Sequence, residues 1–382
     1  MICTYYLCRP GDYFLARFDT RYIICYNTGV DWWSKNYNWI SGCERVSPAC
    51  DHCWVPGFLH TMTLDKGKFA GATADTGDWS GNVTVLQDVL DRLEPLRWTK
   101  PQLVFVNIMS DTFHKDVPDH YVVHQLALAA LLPQHIWMLC TKRERRLHAL
   151  LNKDNIVRDI EDTIEQLAKQ PAMARALASE RASLPTQPLQ WPLPNLWCGV
   201  TLESNKYSFR ISKYLADTPA AVRFASCEPL MDGLADLDTG LLDWMIVGGE
   251  DLRPDQPGYR PMHPDWARDI RDRCADSHTA FWFKQWGSGY PIGQGGKIGA
   301  KFNNSQPGPT DLWLDRQGQI SDQPHSGLVQ IRRMHKRSAW RLLDGKEIFQ
   351  VPAGWEEHPA VLAHAQHHGV TISSPQVDLA RV

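Results

Sequence analysis

Short apolar runs alternate along the chain with polar stretches and with segments that favour helix, such as Tyr121–Leu132 and Pro264–Ala275. Most runs are hydrophobic at nearly every position rather than at alternate positions. This pattern is typical of strands that are buried on both faces of a parallel sheet. The runs are Tyr37–Ile40, Leu103–Ile108, His135–Cys140, Leu196–Leu202, Val222–Ser226, Asp243–Val247 and Thr279–Phe283.

Repeated β–α units over about 250 residues predict an α/β fold. The most direct architecture is a full or partial (β/α) barrel of the TIM-like type, with a helical insertion and a C-terminal extension. An open, doubly wound sheet is the alternative. No GxGxxG or Walker-type loop follows any predicted strand, which disfavours the nucleotide-binding versions of that alternative.

Changes in composition divide the chain into regions around this barrel. The predicted insertion contains a charged, Ala-rich helix former and then a Pro-rich tether. The region after the barrel is rich in Gly, Asn, Pro and Gln and includes a basic stretch at 331–345. We therefore expect an N-terminal extension of unclear role (1–29), a barrel (30–287) with its insertion (151–194), an irregular and basic region (288–350), and a tail (351–382).

Composition indicates a soluble globular protein. Of the 382 residues, 43% are hydrophobic and 22% are charged, and no apolar run approaches the ~20 residues that cross a bilayer. The N-terminus lacks a basic region followed by a continuous apolar stretch, so it does not resemble a signal peptide. These features predict a cytoplasmic protein without a membrane partner, in which ten cysteines are thiols and metal ligands rather than disulfides. A net charge of −3 argues against constitutive nucleic-acid coating.

Three cysteines, Cys43, Cys50 and Cys53, lie within eleven residues that follow the first predicted strand. Three thiolates on one short loop can hold three corners of an iron–sulfur cube, whereas a structural four-ligand site needs a further residue. The fourth iron then stays open to a substrate or cosubstrate. That openness is the chemical basis of S-adenosylmethionine (SAM) radical enzymes.

Polar residues follow six successive predicted strands, where a parallel barrel places its active-site mouth. Carboxylates there can bind an amino group or ribose hydroxyls, and cations can bind a carboxylate or phosphate. Glycines let backbone amides approach a ligand. The candidate catalytic residues are Asp111, Lys142, Glu203, Glu228, Glu250 and Lys284, and the candidate cofactor-binding residues are Ser110, Asp111, Glu203, Gly248, Gly249 and Glu250.

The chain resembles a phage and bacterial three-cysteine family, a domain of unknown function that is regarded as radical-SAM-like. The resemblance covers roughly residues 31–346. It is carried by ordered segments that include Gly42-Cys43, Met109-Ser110-Asp111, Thr141-Lys142-Arg143, Ser226-Cys227-Glu228-Pro229-Leu230, Val247-Gly248-Gly249-Glu250, Arg260-Pro261-Met262 and Phe283-Lys284-Gln285-Trp286-Gly287.

The cysteine segment also looks like that of spore photoproduct lyase and other radical-SAM enzymes. The spacing Cys50-x-x-Cys53 and the adjacent Trp54 match those enzymes. Six residues separate Cys43 from Cys50, where three are common, and this departure bears on SAM use more than on cluster binding. Gly248-Gly249-Glu250 lies late in the chain, whereas the family's Gly-Gly-Glu motif lies early, so its role is not carried over.

The resemblance implies an enzyme with a [4Fe–4S] cluster on the three cysteines and SAM as cosubstrate. An electron from a flavodoxin- or ferredoxin-like reductase would cleave SAM to a 5′-deoxyadenosyl radical, which would modify or repair a substrate, with nucleic acid or a nucleobase weakly preferred. The alternative is a zinc-stabilised nucleic-acid-binding protein in which His52, His60 or Cys227 supplies the fourth ligand. A third interpretation is an unrelated barrel enzyme with a reduced cysteine cluster.

Overall fold

The computed structural model describes residues 14–18, 21–25, 31–62, 64–251, 258, 260–294, 311–333 and 341–375. The strands in these ranges are β1 (Phe14–Phe18), β2 (Arg21–Cys25), β3 (Lys35–Tyr37), β4 (Ile40–Ser41), β5 (Thr84–Val85), β6 (Leu103–Val106), β7 (Ile136–Thr141), β8 (Leu196–Thr201), β9 (Val222–Cys227), β10 (Trp244–Gly248), β11 (Ala280–Gln285), β12 (Gly289–Pro291), β13 (Asp311–Leu314), β14 (Ile320–Ser321) and β15 (Val329–Arg333). The α-helices are α1 (Trp54–Thr61), α2 (Gln87–Arg92), α3 (Asp119–Leu131), α4 (Glu144–Leu151), α5 (Ile156–Ala168), α6 (Pro171–Ala178), α7 (Phe209–Ser212), α8 (Pro264–Asp276) and α9 (Pro359–His368).

The main sheet has seven strands in the order β11-β10-β9-β8-β7-β6-β3. All of its neighbouring strands are parallel. Because this order follows the chain without a reversal, right-handed crossovers place the connecting helices on one face of the sheet. The sheet therefore curls into a half-barrel with open edges at β3 and β11. It is the partial barrel of the two predicted forms, and it lacks the reversal of strand order found in a doubly wound sheet.

Side chains on each central strand alternate between two apolar layers. On β6, Val104 and Val106 pack into the layer that contains the helices, and Leu103 and Phe105 pack into the layer on the opposite face. The opposite layer is rich in aromatic rings, among them Trp32, Trp197, Phe224, Trp244 and Trp282. Because both faces of the strands are covered, the strand sequences are continuously apolar.

The predicted insertion packs against the helical layer of the barrel. Helices α5 and α6 lie within residues 151–194 and bury one apolar face each, including Ile160, Ile164 and Met173. Four of the thirteen residues of α5 have buried side chains, at positions 156, 160, 164 and 167, which is the spacing of one helical face.

The described part of the region after the barrel forms a second sheet, which its composition does not predict. Strands β12–β15 form a four-stranded sheet in the order β12-β15-β13-β14, with antiparallel pairs. These strands have two to five residues each, too short for a clear hydrophobic period. Helix α9 follows, and its buried Ala360 and Val361 belong to the aromatic layer. Part of the tail region thus covers the concave face of the half-barrel.

Two predicted features fall partly outside the described residues. Within the extension 1–29, β1 and β2 pair in an antiparallel hairpin, and the rest of that extension lies outside the described ranges. Of the basic stretch 331–345, residues 334–340 also lie outside them. The described cations of that stretch include Arg332, which binds Asp311 at 2.8 Å, and Arg341, which binds Glu347 at 2.9 Å.

Gly199 on β8 lies where the aromatic layer leaves no space for a side chain. A Cβ atom at this position would lie 2.3 Å from the ring of the fully buried Phe224. We expect Gly199→Ala to lower the free energy of unfolding by about 1–3 kcal/mol, because the ring must leave its packed position. Urea denaturation measures the change. Gly57→Ala in α1 is the matched control, since nothing lies within 4 Å of its Cβ position and alanine favours helix. An unchanged midpoint in Gly199→Ala would contradict this account of the packing.

Candidate functional site

A cavity of about 310 Å³ lies at the carboxyl ends of the parallel strands, the side of a (β/α) barrel where ligands bind. Its volume lies in the usual range for small-molecule sites, about 300–1,000 Å³. Residues at the ends of β6 to β11 line its floor and walls, and the cysteine segment lines one side. The strand-end residues are Phe105, Asn107, Cys140, Thr141, Lys142, Thr201, Ser226, Glu228, Gly249, Glu250, Lys284 and Gln285.

The cysteine segment is fixed to the barrel at its start and in its middle. Gly42 has a φ of +88°, and a Cβ there would overlap the carbonyl oxygen of Asn82, so glycine is required. Ser110 Oγ donates to the carbonyl oxygen of Gly42. Arg143 Nη2 donates to Glu44 O at 3.3 Å, and Arg260 Nη1 donates to Pro48 O at 2.8 Å. Contacts from four distant positions thus fix the course of this segment.

All three predicted metal ligands face the same cavity. Cys43, Cys50 and Cys53 line it, each is half-buried, and each is a free thiol. Burial raises the pKa of the Cys43 thiol to about 12, and the Asp111 carboxylate adds to this shift while the Arg143 guanidinium opposes it. Burial also raises the pKa of the Cys53 thiol, against a hydrogen bond from the Val55 backbone N–H at the start of α1. The thiolate forms that bind metals therefore require a compensating cation.

The three sulfur atoms do not converge on a single point. In the described ranges, no group of three or more His, Cys, Asp or Glu side chains is arranged to hold a metal ion. A single zinc ion gathers its sulfur ligands on one centre, at about 2.3 Å each. The three cysteines of a four-iron cube instead bind three different irons, so their sulfurs stand further apart. The structure therefore brings the three thiols to one cavity, and the described side chains are not gathered around a common metal position.

The three candidates for a fourth zinc ligand, His52, His60 and Cys227, lie in different parts of the fold. Cys227 is fully buried in the layer beneath the helices, and His60 is exposed; neither lines the cavity. His52 lines the cavity, but its Nδ1 lies 3.1 Å from Glu250 Oε2.

Asp111, Thr141 and Arg143 form a polar cluster beside Cys43. Asp111 accepts hydrogen bonds from Thr141 Oγ1 at 2.7 Å and from Arg143 Nη1 at 2.8 Å. The same Nη1 atom lies 3.9 Å from Cys43 Sγ and donates toward it. Asp111 and the adjacent Ser110 both line the cavity. Both residues therefore belong to the cavity, and the charge of Asp111 is balanced by the half-buried Arg143 guanidinium.

Glu228 and Lys284 face each other on the opposite wall. Lys284 Nζ lies 2.7 Å from Glu228 Oε1, 3.6 Å from Asp31 and 4.9 Å from the centre of the Trp33 ring. Glu228 Oε2 accepts from Trp32 Nε1 at 2.8 Å and from Ser226 Oγ at 3.0 Å. Burial lowers the pKa of Lys284, but Glu228 and Asp31 outweigh it and the net shift is upward. This wall therefore carries a fixed ammonium between two carboxylates.

Glu250 is held by Arg260 on the cysteine side of the cavity. Arg260 Nε donates to both carboxylate oxygens at 3.0 and 3.1 Å, and Arg260 also reaches Pro48. Gly249 lines the cavity next to Glu250, and its Cβ position would lie 2.0 Å from Trp286 O. Gly249 is thus needed for the close approach of two backbone segments. Gly248 does not line the cavity, although a Cβ there would lie 3.2 Å from Glu228 Oε1.

Lys142 differs from the other cavity cations because, within the described residues, no carboxylate lies at ion-pair distance from its ammonium. Burial lowers the pKa of Lys142, but Cys50, Glu203 and Cys140 outweigh it, so the net shift is upward and the side chain stays charged. A half-buried charge without a partner is unfavourable. Lys142 is therefore available for an anionic group in the cavity.

Glu203 lies beneath the cavity rather than in it. Its side chain is fully buried, and Oε2 accepts from Arg210 Nη1 at 2.7 Å. Arg210 also lies 3.4 Å from Glu144. This geometry gives Glu203 a buried ion pair with Arg210, and Glu203 does not line the cavity.

Two cavity residues, Thr201 and Ser226, were not singled out by sequence reasoning, and they occupy inward positions on β8 and β9. Trp32, which precedes β3, also lines the cavity, and the adjacent Asp31 contacts Lys284 without lining the cavity. Short polar residues within apolar runs are a weak signal for an inward-facing site. Asp31 and Trp32 are brought to Lys284 and Glu228 across more than 190 residues, so the local sequence carries no signal of that contact.

Residues 27–352 match the model of a family described as a protein of unknown function (DUF5131), so the chain belongs to that family. The chain matches no curated protein and no solved structure at a significant level. Among the described residues, no helix combines the length and the apolar character needed to span a membrane.

Proposed function

We propose that this member of the DUF5131 family is an iron–sulfur enzyme of the radical-SAM type. Cys43, Cys50 and Cys53 would hold a [4Fe–4S] cluster, and SAM would bind beside it in the cavity. The observation that carries the proposal is that three free cysteines from one short segment line a single cavity at the carboxyl ends of a parallel half-barrel. When bound, a cluster of this kind and SAM supply a 5′-deoxyadenosyl radical after one-electron reduction by a flavodoxin- or ferredoxin-like protein.

The chain's own residues supply binding, orientation and shielding. Arg143 and Arg260 fix the cysteine segment through its backbone oxygens. Trp32, Trp33 and Phe105 form an aromatic wall that keeps water from the interior of the cavity. Glu228 and Lys284 are already hydrogen-bonded to each other and to the wall, so they present a fixed pattern of charge to a substrate.

The proposed substrate is a nucleic acid or a nucleobase. Aromatic side chains support this choice, because Trp54 and Phe58 are exposed and stand edge to face, with ring centres 5.6 Å apart. Trp54 lines the cavity as well. Stacking of a base on an exposed aromatic ring contributes about 1–3 kcal/mol to the free energy of binding, and it does not depend on the nucleotide sequence.

Anaerobic reconstitution with iron and sulfide tests the proposal. The expected result is about four irons per chain, broad visible absorption, and formation of 5′-deoxyadenosine when dithionite and SAM are added. Single-stranded DNA, RNA and nucleosides are then offered as substrates under the same conditions. A cluster without SAM cleavage would restrict the function to redox chemistry. Stoichiometric zinc without a cluster would refute the proposal and favour the nucleic-acid-binding alternative.

Lys142 is expected to bind the anionic group of the ligand. Lys142→Met should weaken SAM binding by about 10- to 100-fold, the loss of one charge-assisted hydrogen bond of about 1.5–3 kcal/mol. Equilibrium dialysis with labelled SAM on the reconstituted protein measures this change. Lys153→Met is the control, because Lys153 pairs with Asp119 outside the cavity and should leave the affinity unchanged. Equal affinities for Lys142→Met and the unaltered protein would contradict this role.

A further inference from the structure

Of the three cysteines, Cys43 stands out because its sulfur lies beside a half-buried guanidinium. Arg143 Nη1 donates toward Cys43 Sγ at 3.9 Å, and its side chain is 12% exposed. Ser47 Oγ, a neutral group, lies 4.0 Å from Cys50 Sγ. Lys142 interacts electrostatically with Cys50 and Cys53, but among the described residues Arg143 is the cation that donates a hydrogen bond to one of the three sulfurs.

The guanidinium is held in place by contacts on several sides. Nη1 binds Asp111 Oδ2 at 2.8 Å, Nη2 binds Glu44 O at 3.3 Å, and the Arg143 backbone N–H donates to Thr141 Oγ1 at 2.9 Å. Thr141 Oγ1 in turn donates to Asp111 Oδ1. A side chain with this many fixed contacts keeps its N–H aimed at the sulfur without reorganisation when the charge on the sulfur changes.

Hydrogen bonds to cysteine sulfurs and nearby charge are among the factors that set the reduction potential of an iron–sulfur cluster. A reduced cluster carries one more negative charge than an oxidised one, and a cation beside a ligand sulfur stabilises that extra charge. Asp111 has the opposite effect and also orients Arg143. The net effect of this pair on the reduction potential is therefore the stabilisation by the nearby Arg143 guanidinium minus the destabilisation by the Asp111 carboxylate, which contacts Arg143 rather than the sulfur.

We propose that Arg143, oriented by Asp111, is a positioning residue that raises the reduction potential of the cluster through its N–H···S contact with Cys43. This inference rests on the proposed [4Fe–4S] cluster. The redox step is the uptake of one electron by the oxidised cluster, with dithionite as the reductant, and no bond is made or broken. The guanidinium stays protonated throughout, because an arginine side chain is not deprotonated in proteins.

A redox titration of the reconstituted protein, followed by the visible and EPR signals of the cluster, tests the inference. Arg143→Met should lower the ratio of reduced to oxidised cluster at a fixed potential by about tenfold, which equals about 59 mV for a one-electron couple. Arg143→Lys should fall between the two, because lysine keeps the charge but not the planar fork. Asp111→Asn should shift the ratio in the opposite direction.

Arg260→Met is the matched control. Arg260 is also a half-buried arginine that holds the cysteine segment, but it contacts Pro48 O and the Glu250 carboxylate rather than a cysteine sulfur. Arg260→Met should change the ratio of reduced to oxidised cluster by less than half as much as Arg143→Met does. If Arg143→Met fails to retain iron, Arg143→Lys is used in its place.

The outcomes separate this inference from the proposed function. Opposite shifts for the Arg143 and Asp111 variants, at equal iron content, would support it, because a merely structural role cannot produce opposite signs. Unchanged potentials, or shifts of the same sign, would overturn it while leaving the cluster in place. Absence of iron from the unaltered protein would instead refute the proposed function, and this inference with it.

Discussion

Replacing Cys43, Cys50 or Cys53 by alanine is expected to abolish the iron–sulfur cluster. Each variant should retain less than about a tenth of the iron of the unaltered protein after reconstitution, because two remaining thiolates cannot hold three corners of the cube. The visible absorption and the formation of 5′-deoxyadenosine should be lost together. Iron counting and a visible spectrum on anaerobically reconstituted protein give the result directly.

Cys140→Ala provides the matched control for these variants. Cys140 also lines the cavity and is a free thiol, but it lies on β7, where its sulfur is 3.9 Å from Thr201 Oγ1. This variant should keep its full complement of iron. Far-UV circular dichroism establishes that every variant is folded. If the triple alanine variant of the cysteine segment still bound iron, or if Cys140→Ala lost it, the ligand assignment would be wrong.

Arg210→Met is expected to lower the free energy of unfolding by about 3–5 kcal/mol. Arg210 and Glu203 are 3% and 0% exposed, and their charged atoms lie 2.7 Å apart. Removing the guanidinium leaves the Glu203 carboxylate buried without a cation, which is the costly way to break such a pair. For a protein whose total stability is about 5–15 kcal/mol, this loss is large. Urea denaturation followed by tryptophan fluorescence measures it.

Two further variants test whether the loss of stability comes from breaking a buried ion pair. Arg92→Ala removes an arginine from an exposed pair with Asp88 and should change stability by at most about 0.5 kcal/mol. The double variant Glu203→Gln/Arg210→Met should recover part of the loss, because it removes the unpaired Glu203 charge while Glu144 still loses its neighbouring cation. A catalytic Glu203 would give a different result: Glu203→Gln would abolish activity at unchanged stability, and Arg210→Met would have little effect on unfolding.

The choice among the strand-end residues shows where sequence reasoning ends. Glu203 and Glu228 each follow an apolar strand and are equivalent as sequence signals. In the structure Glu228 lines the cavity, whereas Glu203 turns beneath it to meet Arg210, seven residues later in the chain. Which way such a side chain turns depends on the partner that the fold supplies. Lys142 and Lys284 differ for the same reason, because Asp31 and Glu228 reach only Lys284.

By itself, the sequence determined the succession of strands and the position of the cysteines. Apolar runs of five to seven residues predicted six of the seven strands of the main sheet, because burial on both faces leaves a local signal at every position. The predicted strand Tyr37–Ile40 was misplaced: the edge strand β3 covers Lys35–Tyr37 and has two exposed polar residues, and Ile40 lies in β4 of a separate sheet. The three cysteines share one short segment, so their presence on one side of a cavity also follows from proximity along the chain.

Only the tertiary structure decided that the barrel stays open, that α9 and its neighbours cover its concave face, and which charges in the cavity are paired. The contacts responsible join residues far apart in sequence, such as Trp32 with Glu228 and Arg143 with Cys43. Such contacts form when the chain buries its apolar surface and each buried charge must find a partner in the space that remains. A local pattern contains no information about that space, and for this reason the neutralised and the available charges of the site could be told apart only in the folded protein.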